Sequence, residues 1–504
     1  MTDAIPRQGA RVSSEPLVHT PQVTVSEVAA ALEHAEVRGD GDVRVADAVY
    51  ASADAGPGAL FFAVRGARAD GHDFAADAVA RGAVAVVVER WLHDIATAQV
   101  KVPSVRAAMG PASAIVFGRP AEALRLVGIT GTNGKTTTTY LLESIFRANG
   151  WMPGVIGTTG ARVGGDPEPL PRTTPEAPDL HRLLAHMRAR GVDGVAMEVS
   201  SHALEQHRAS GVRFAVAVFT NLSQDHLDFH GGMDEYFEAK AGLFSPVYAD
   251  RAVVNADDQW GRRLLVSPVL PTMTFGEGAG ADVRATDVRT DVDGIAFHVG
   301  DLEIRSSLRG LFNVSNCLAA LAAARALEIE DAASVEGIAS LEGVPGRVEP
   351  VGEGQDFLVM VDYAHTPDSI HNVLRAARPL ASGRLIVVFG CGGDRDRSKR
   401  PLMGRAATAN ADLTVITSDN PRSEDPMAIV AEIEPGAKEG GGAFVIELDR
   451  RAVIRLAVRE ARTGDVIVIA GKGHESGQEF ADRTIPFLDR DVAAEELRAR
   501  LGER

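Results

Sequence analysis

Gly131-Thr-Asn-Gly-Lys-Thr136 lies between the apolar run Leu124 to Ile129 and a helix-like stretch from Thr137 to Ala148. A strand that ends in a glycine-rich turn and opens a helix directs backbone N–H groups and the positive end of the helix dipole at one point, where a polyphosphate can bind. Strand, loop, Lys-Thr pair and helix occur here in that order, which favours a phosphate loop over a chance glycine-rich turn. Generic phosphate loops carry a glycine where this chain has Ile129, so the motif is a shortened form.

Two side chains of this loop suit nucleotide chemistry. Lys135 would neutralise phosphate charge, and the Thr136 hydroxyl could ligate Mg²⁺. Lysine occurs at only six positions of the chain, 101, 135, 240, 399, 438 and 472, whereas arginine is abundant. Arginine cannot lose its proton or be carbamylated. The few lysines in motif-like places therefore indicate sites that need an amine, although surface lysines also survive such a bias.

Length and composition restrict the class of protein in which this loop occurs. The chain has 504 residues, 45% of them hydrophobic, which predicts about three globular domains. The net charge of −17 argues against general binding to nucleic acid or anionic membranes. No apolar run is long enough to span a membrane and residues 1–20 contain no apolar signal core, so we expect a cytoplasmic protein. Cys317 and Cys391 stand alone and support neither a disulfide framework nor a zinc site.

The alternation of apolar runs and helical stretches predicts the fold class, an α/β protein of three domains. Residues 1–22 are polar and read as a disordered tail. Residues 23–120 predict a small N-terminal α/β domain, and 121–346 predict a central phosphate-loop domain with a parallel sheet and an Asp293-Gly294 hairpin turn. Residues 347–504 predict a doubly wound, Rossmann-like domain.

Three residues of the central domain are candidates for holding metal. Glu198 ends the strand 194–199, at the sheet edge where ligands collect in open α/β sheets; a buried structural carboxylate is the alternative. His226 follows another strand exit, although lone histidines are more often structural. Lys240 falls on a partly buried face of the helical stretch 235–244, where a bare ammonium is costly unless paired, and a snorkelling surface lysine is the alternative.

These motifs together resemble the Mur ligases, ATP-dependent enzymes that form amide bonds in peptidoglycan precursor synthesis. The resemblance is carried by the phosphate loop, Glu198-Val-Ser-Ser-His202, Asn221-x-x-x-Asp-His-Leu-Asp228 and the Lys240 helix. It implies two Mg²⁺ ions and a carbamylated Lys240, that is, N6-carboxylysine. Under it the metal ligands are Thr136, Glu198, His226 and Lys240, and the catalytic residues are Lys135, Lys240, His226 and Arg347.

The resemblance also assigns residues to two substrates. For ATP it names Gly131, Thr132, Asn133, Gly134, Lys135, Thr136, Thr137, Asn313, Asn316 and Asp362; Asn313 and Asn316 could instead cap a helix. For the UDP-MurNAc-peptide it names Ser52, Thr173, Thr174, Ser200, Gln206 and Arg208. The chain departs from the family pattern at Ala51, Ala53 and Arg172, so the uridine-diphosphate contacts are less well defined than the rest.

The acceptor amino acid is indicated by Asp419-Asn420-Pro421-Arg422, which looks like the signature of ligases that add meso-diaminopimelate. Arginine can hold the distal carboxylate of that amino acid through two parallel hydrogen bonds, whereas it would repel the ammonium of lysine. A turn with a solvated arginine is the alternative. The resemblance adds Arg395, Gly471 and Glu475, from two glycine-containing loops that follow apolar strands.

The expected reaction joins meso-diaminopimelate to the D-glutamate γ-carboxylate of UDP-MurNAc-L-Ala-D-Glu through an acyl phosphate, at the expense of ATP. We expect a monomer whose partners are small molecules, with no nucleic-acid or membrane partner. The alternatives are a lysine-adding ligase, a related amide ligase such as folylpolyglutamate synthetase, and a phosphate-loop NTPase that is not a ligase.

Overall fold

A computed structural model describes residues 22–66, 69–291 and 293–502. Most of the predicted disordered tail, residues 1–21, lies outside the described residues. The remainder forms an α/β structure in which three mostly parallel sheets, one for each domain of the predicted fold class, follow one another along the chain.

The N-terminal sheet has the order β2-β7-β6-β5-β4 and is parallel except for β2. Apolar side chains fill both faces of β5 and β6, with α3 covering one face and α2 the other. The elements are β1 (Val23–Thr24), β2 (Glu36–Arg38), β3 (Arg44–Val45), β4 (Asp47–Val49), β5 (Ala59–Phe62), β6 (Ala83–Val88), β7 (Ala98–Lys101), α1 (Val25–Ala30), α2 (Ala75–Ala80), α3 (Val105–Val116) and 3-10 turns at Ser52–Asp54, Gly71–Phe74 and Pro120–Ala123.

The central sheet has the order β11-β10-β9-β12-β8-β13-β14-β15-β16. Its strands are β8 (Arg125–Thr130), β9 (Pro153–Gly157), β10 (Gly160–Val163), β11 (Asp166–Glu168), β12 (Gly194–Glu198), β13 (Phe214–Phe219), β14 (Ala249–Asn255), β15 (Thr272–Gly276) and β16 (Val283–Arg284), followed by the antiparallel β17 (Thr286–Asp291), β18 (Gly294–Val299) and β19 (Leu302–Ser306). The predicted hairpin is confirmed, since Asp291 pairs with Gly294.

Helices cover both faces of the central sheet, which explains why its strands are almost continuously apolar. They are α4 (Lys135–Ala148), α5 (Ala177–Ala189), α6 (Ser201–Glu205), α7 (Leu227–His230), α8 (Met233–Ala241), α9 (Gln259–Leu264), α10 (Phe312–Ala326) and α11 (Asp331–Ser340), with a 3-10 turn at Gly242–Phe244. The helix predicted over 235–244 therefore ends at Ala241. Strand β8 lies between β12 and β13, so the loops after these three strands meet at one edge of the sheet.

The C-terminal sheet has the order β20-β21-β25-β22-β23-β24 and is parallel except for β20. Its elements are β20 (Glu349–Pro350), β21 (Leu358–Asp362), β22 (Leu385–Phe389), β23 (Leu413–Ile416), β24 (Ala443–Ile446), β25 (Val466–Ala470), the hairpin β26 (Gly477–Glu479) and β27 (Thr484–Pro486), α12 (Pro367–Ala377), α13 (Lys399–Asn410), α14 (Pro426–Gly440), α15 (Arg450–Glu460), α16 (Asp489–Gly502) and a 3-10 turn at Arg378–Leu380. Apolar clusters on both faces match the predicted doubly wound pattern.

A fully buried ion pair connects the strand ends of this sheet to α16. Arg450 donates two hydrogen bonds to the Asp489 carboxylate, at 2.8 and 2.7 Å, and neither side chain is exposed. The same guanidinium donates to the carbonyls of Ser418 and Ala470, at 3.4 and 2.9 Å. These carbonyls directly precede the two loops that carry the predicted acceptor residues Asp419 and Gly471.

Replacing Arg450 with methionine is expected to lower the free energy of unfolding by about 3–5 kcal/mol, because Asp489 would remain as a buried, uncompensated charge. The measurement is urea unfolding. Arg451→Met is the control, since Arg451 pairs with Glu495 at the exposed surface, and its effect should stay within about 0.5 kcal/mol. Equal midpoints for the two variants would contradict a stabilising role for the buried pair.

Candidate functional site

The phosphate loop closes over its own lysine. Gly131 and Gly134 have φ values of +146° and +88°, a backbone region that side chains rarely adopt. The Lys135 ammonium donates to the carbonyls of Gly131 and Thr132, both at 2.9 Å. Burial lowers the pKa of Lys135, a cost that an incoming phosphate would offset. The loop thus has the shape of an anion site at the start of α4.

Thr136 and Glu198 form a compact group of oxygen donors beside this loop. The Thr136 hydroxyl donates to Glu198 Oε1 at 3.0 Å, and Thr158 binds the same carboxylate through its backbone N–H at 2.9 Å and its hydroxyl at 3.0 Å. Glu198 is 1% exposed. Hard oxygen ligands next to a polyphosphate site are what Mg²⁺ prefers, so these residues fit that ion.

Lys240 is buried directly beneath the phosphate loop. It is 1% exposed, its ammonium donates to the Gly131 carbonyl at 2.9 Å, and it forms no ion pair with any described residue. The alternative of a snorkelling surface lysine is therefore wrong. Burial, and then the charge of Lys135, hold the pKa of Lys240 well below its usual value. A neutral amine at this position is a good nucleophile for CO₂.

His226 belongs to a charged cluster that joins two domains. Asp225 accepts from the Lys399 ammonium at 3.1 Å and lies 3.3 and 3.6 Å from His226 and His365. Burial raises the pKa of Asp225, but the neighbouring positive charges outweigh it and hold that pKa well below its usual value. Burial lowers the pKa of His226 to about 3, so its ring is neutral near pH 7 and able to ligate a cation.

The C-terminal domain completes the nucleotide side of the site. Arg347 donates to the Thr136 hydroxyl at 3.0 Å and stacks over the Tyr363 ring at 4.3 Å. Asp362 accepts from two backbone N–H groups, and burial raises its pKa. Further contacts between the two domains join His474 to the Thr158 carbonyl at 3.2 Å and Asn133 to Asp368 at 3.2 Å. The C-terminal domain therefore lies closed against the phosphate loop.

Asn313 and Asn316 lie inside the first turns of α10, not at its cap. The N-cap is Leu311, which makes no side-chain cap bond, so the helix-cap alternative is wrong for both residues. Asn316 donates to Asn313 Oδ1 at 2.8 Å. A Cβ atom at Gly134 would lie 2.4 Å from Asn316 Oδ1, so this glycine allows α10 to approach the phosphate loop.

A second group of side chains surrounds Glu176 at the other end of the site. Glu176 Oε1 accepts from Arg172 at 2.6 Å and from Arg208 at 3.0 Å, while Arg208 also binds Gln206. Arg172, one of the departures from the family pattern, thus lies among the predicted substrate residues. Ser52 does not; it lies in the N-terminal domain and hydrogen-bonds Asp77.

The predicted acceptor residues meet on the loops after β22, β23 and β25. Arg422 donates through Nε to Glu479 at 2.9 Å and through Nη1 to the Gly393 carbonyl at 2.8 Å. Its φ of +52° is strained for a side-chain-bearing residue and turns it back toward Gly392 and Gly393. Asn420 donates to Glu475 at 2.7 Å. The Arg422 guanidinium is thus partly exposed and has two partners within the protein.

These groups line one cleft of about 630 Å³ between the domains. The predicted residues that line it are Thr132, Asn133, Gly134, Lys135, Thr136, Thr137, Thr173, Thr174, Glu198, Ser200, Gln206, Arg208, His226, Asn316, Arg347, Asp362, Arg395, Asp419, Asn420, Arg422, Gly471 and Glu475. The predicted residues that do not line it are Ser52, Gly131, Lys240, Asn313 and Pro421. Lys240 contacts the phosphate loop from behind, whereas Ser52 hydrogen-bonds Asp77 in the N-terminal domain.

Sequence reasoning missed Thr158, and it left Asp225, Lys399 and Lys472 without a role. Thr158 follows the apolar strand β9, which is adjacent to β12, so the strand-end rule could have found it. The pairing of Asp225 with Lys399 spans 174 residues and left no local signal. Within the described part of the chain, no cluster of three or more His, Cys, Asp and Glu side chains is arranged to hold a metal, and no helix could span a membrane.

Comparison with known proteins gives matches along most of the chain. The Mur ligase family catalytic domain matches residues 49–115, the Mur ligase middle domain matches 129–324, and the Mur ligase glutamate ligase domain matches 346–473. Two UDP-N-acetylmuramoyl-L-alanyl-D-glutamate–2,6-diaminopimelate ligases are similar. The one from Syntrophomonas wolfei is 46% identical, over 91% of this chain and 96% of its own length, and the one from Geobacillus thermodenitrificans is 48% identical, over 89% and 93%.

Solved structures agree with the fold. A structure of a UDP-N-acetylmuramoyl-L-alanyl-D-glutamate–2,6-diaminopimelate ligase, 34% identical, superposes with a TM-score of 0.67 over 95% of this chain and 99% of that one. A MurF ligase from Thermotoga maritima in complex with ADP has a TM-score of 0.63 over 91% and 98% of the two chains. At 20% identity, this second structure is similar in fold alone.

Proposed function

The chain belongs to the Mur ligase family, and from this premise we propose that it adds meso-diaminopimelate to the D-glutamate γ-carboxylate of UDP-MurNAc-L-Ala-D-Glu, converting ATP to ADP and phosphate. The observation that carries the proposal is that a single cleft is lined by a phosphate loop, by the polar residues around Arg208 and by Arg422. A nucleotide, an anionic carboxylate substrate and a carboxylate-bearing acceptor would share that cleft.

The reaction needs no side-chain nucleophile. The γ-carboxylate attacks the γ-phosphorus of ATP, the bond to the bridging oxygen breaks, and ADP leaves an acyl phosphate. The acceptor amine then attacks the acyl carbon, and the tetrahedral intermediate expels phosphate while the nitrogen loses a proton. Lys135 and Arg347 contact the phosphate loop and would donate to the oxygens that carry the transferring charge. The closed domains would keep water from the acyl phosphate.

Two Mg²⁺ ions would neutralise phosphate charge at this site when bound. Thr136 and Glu198 supply oxygen donors for the first, and their mutual contact in this structure fits such a ligand set. His226 and Lys240 would serve the second. Both approach the Tyr236 ring, His226 with a centroid distance of 6.2 Å and the Lys240 ammonium at 4.6 Å.

Carbamylation of Lys240 would remove the energetic cost of burying its ammonium without an ion-pair partner among the described residues. The ammonium first loses one proton; the neutral amine then adds to dissolved CO₂ and releases a second proton, so that a poorly placed cation becomes an anion. That anion would lie near the phosphate loop, where a second cation could balance it. Arginine cannot undergo this reaction, so carbamylation requires a lysine at position 240.

Wild-type protein incubated with ¹³C-labelled bicarbonate is expected to give a carbamate carbonyl signal by ¹³C NMR, and Lys240→Arg should abolish it. Lys438→Arg is the matched control, since Lys438 is exposed and pairs with Glu434 on the surface of α14. A signal that persists unchanged in Lys240→Arg would remove this part of the proposal.

The acceptor subsite would suit an amino acid that carries both a carboxylate and an ammonium at its distal end. Arg422 and Arg395 line the cleft near Asn420 and Glu475, so a carboxylate and an ammonium would each find a partner. Lysine would leave Arg422 without its anion. A lysine-adding ligase is therefore the weaker alternative.

One assay tests the proposal: phosphate release from ATP with UDP-MurNAc-L-Ala-D-Glu and a panel of meso-diaminopimelate, LL-diaminopimelate, lysine and ornithine. We expect phosphate release only with both organic substrates, and fastest with the meso isomer. Equal or faster turnover with lysine would overturn the acceptor assignment. ATP hydrolysis without an amino acid would indicate a phosphate-loop NTPase of another class.

The remaining expectations belong to the same proposal. We take the domains as 23–120 for the UDP-sugar end, 121–346 for ATP and 347–504 for the amino acid. The protein would act as a cytoplasmic monomer on small molecules, with no nucleic-acid or membrane partner. Sedimentation of the purified protein at several concentrations would test the monomer.

A further inference from the structure

Asp419, Asn420, Arg422 and Glu475 form one side of the cleft, here called the acceptor wall, and Lys472 lies behind this wall. Its side chain is 0% exposed, and it is absent from the residues that line the cleft. A buried ammonium is costly unless its protons are bound. Two of them are, by Asn420 Oδ1 at 2.8 Å and by Glu475 Oε2 at 3.1 Å. A cation that cannot touch a substrate therefore holds two side chains that do face the cleft.

The hydrogen-bond partners of Asn420 determine the orientation of its amide. Its Oδ1 accepts from Lys472 and from the backbone N–H of Glu479 at 3.0 Å. Both of these partners can only donate, so the oxygen must face them and Nδ2 must face the Glu475 carboxylate, at 2.7 Å. Lys472 and the Glu479 N–H together therefore fix which edge of the Asn420 amide faces Glu475.

The two oxygens of the Glu475 carboxylate also have different surroundings. Its Oε2 accepts from both Lys472 and Asn420, while its Oε1 has no hydrogen-bond donor among the described residues. Glu475 lines the cleft with a partly exposed side chain. One oxygen is therefore held from behind, which leaves the other for a ligand ammonium.

We propose that Lys472 is a positioning residue of the acceptor subsite, which holds Asn420 and Glu475 so that the wall presents one free carboxylate oxygen to the distal ammonium of the incoming amino acid. The proposal rests on the proposed function, because it presumes that an amino acid binds here. Lys472 itself does not contact the substrate. Its removal would leave Asn420 Oδ1 with one donor, the Glu479 N–H, and would take away the buried cation that holds Glu475 Oε2.

The test compares Lys472→Met with Lys438→Met, which removes an exposed lysine of the same domain. We expect Lys472→Met to raise KM for meso-diaminopimelate by about tenfold or more, because a buried charged hydrogen-bond partner is lost, while KM for ATP stays within about twofold. Lys438→Met should change neither. Lys472→Arg should restore most of the affinity, since a guanidinium can still donate to both partners.

A merely structural lysine would give a different pattern. Equal rises in KM for all three substrates, or an unchanged KM for diaminopimelate, would overturn the proposal. If Lys472→Met fails to fold in a thermal scan, Lys472→Gln, which keeps a donor without charge, takes its place under the same criteria. If the wild type prefers lysine, the proposed acceptor is wrong, and the Lys472 comparison is then made with lysine, whose distal ammonium would meet the same Glu475 oxygen.

Discussion

Glu198→Gln is expected to lower kcat for phosphate release by about 10²–10³-fold at saturating substrates and Mg²⁺. The carboxylate is buried and accepts from Thr136 at 3.0 Å and twice from Thr158. Glutamine has nearly the same shape but no charge, and its NH₂ group would meet a donor that the carboxylate now accepts from. The variant would thus lose the negative charge that the proposed Mg²⁺ site requires.

The control for this variant is Glu143→Gln. Glu143 is also a buried carboxylate of the central domain, but its partners are Arg147 and Arg162, and it does not line the cleft. Its loss should reduce stability and leave kcat within about threefold. A magnesium titration of initial rates adds a second readout, since Glu198→Gln should need more Mg²⁺ for half-maximal rate. Equal kcat values for Glu198→Gln and the wild type would remove Glu198 from the proposed metal site.

Arg422→Lys is expected to raise KM for meso-diaminopimelate by about 10- to 100-fold and to leave KM for ATP unchanged. Nε of Arg422 is bound by Glu479, and Nη1 donates to the Gly393 carbonyl, which aims the rest of the guanidinium at the cleft. Lysine has one nitrogen in place of three. It cannot keep these two anchors and also hold a carboxylate with two parallel bonds.

Arg483→Lys is the matched control, because Arg483 lies at the exposed end of the β26–β27 hairpin, which carries the Arg422 partner Glu479, and pairs with Asp482. Its kinetic constants should equal those of the wild type. The kinetic measurement is initial rate against diaminopimelate concentration at fixed ATP, then the reverse. A KM for diaminopimelate that is unchanged in Arg422→Lys would show that another residue holds the distal carboxylate.

Much of the fold was predictable because local patterns carry it. The apolar run Leu124 to Ile129 corresponds to β8 (Arg125–Thr130), and the strand predicted at 194–199 corresponds to β12 (Gly194–Glu198), each within one residue. Both faces of these strands are buried, so nearly every position must be apolar, and the pattern is strong. Helix ends were less predictable: the helix that carries Lys240 ends at Ala241, where the chain tightens into a 3-10 turn at Gly242–Phe244.

The residues of the candidate site also differ in how far the sequence alone could predict them. Gly131, Gly134, Lys135 and Thr136 were recognisable because a phosphate loop is contiguous, and its backbone geometry depends on residues a few positions apart. Arg422 was predicted as an acceptor residue because four consecutive residues resemble a family signature. These features depend on local chemistry, which a linear sequence records.

Burial and long-range pairing were decided by the tertiary structure alone. Whether Lys240 is exposed, whether Asp225 meets Lys399, and whether Lys472 lies in the cleft or behind it all depend on how separate strand ends pack together. A buried ammonium and an exposed one look alike in the sequence, because the difference is the loss of surrounding water, and only neighbours brought from distant parts of the chain remove it. The phosphate loop could thus be predicted from adjacent residues, while the surroundings of Lys240, Lys399 and Lys472 could not.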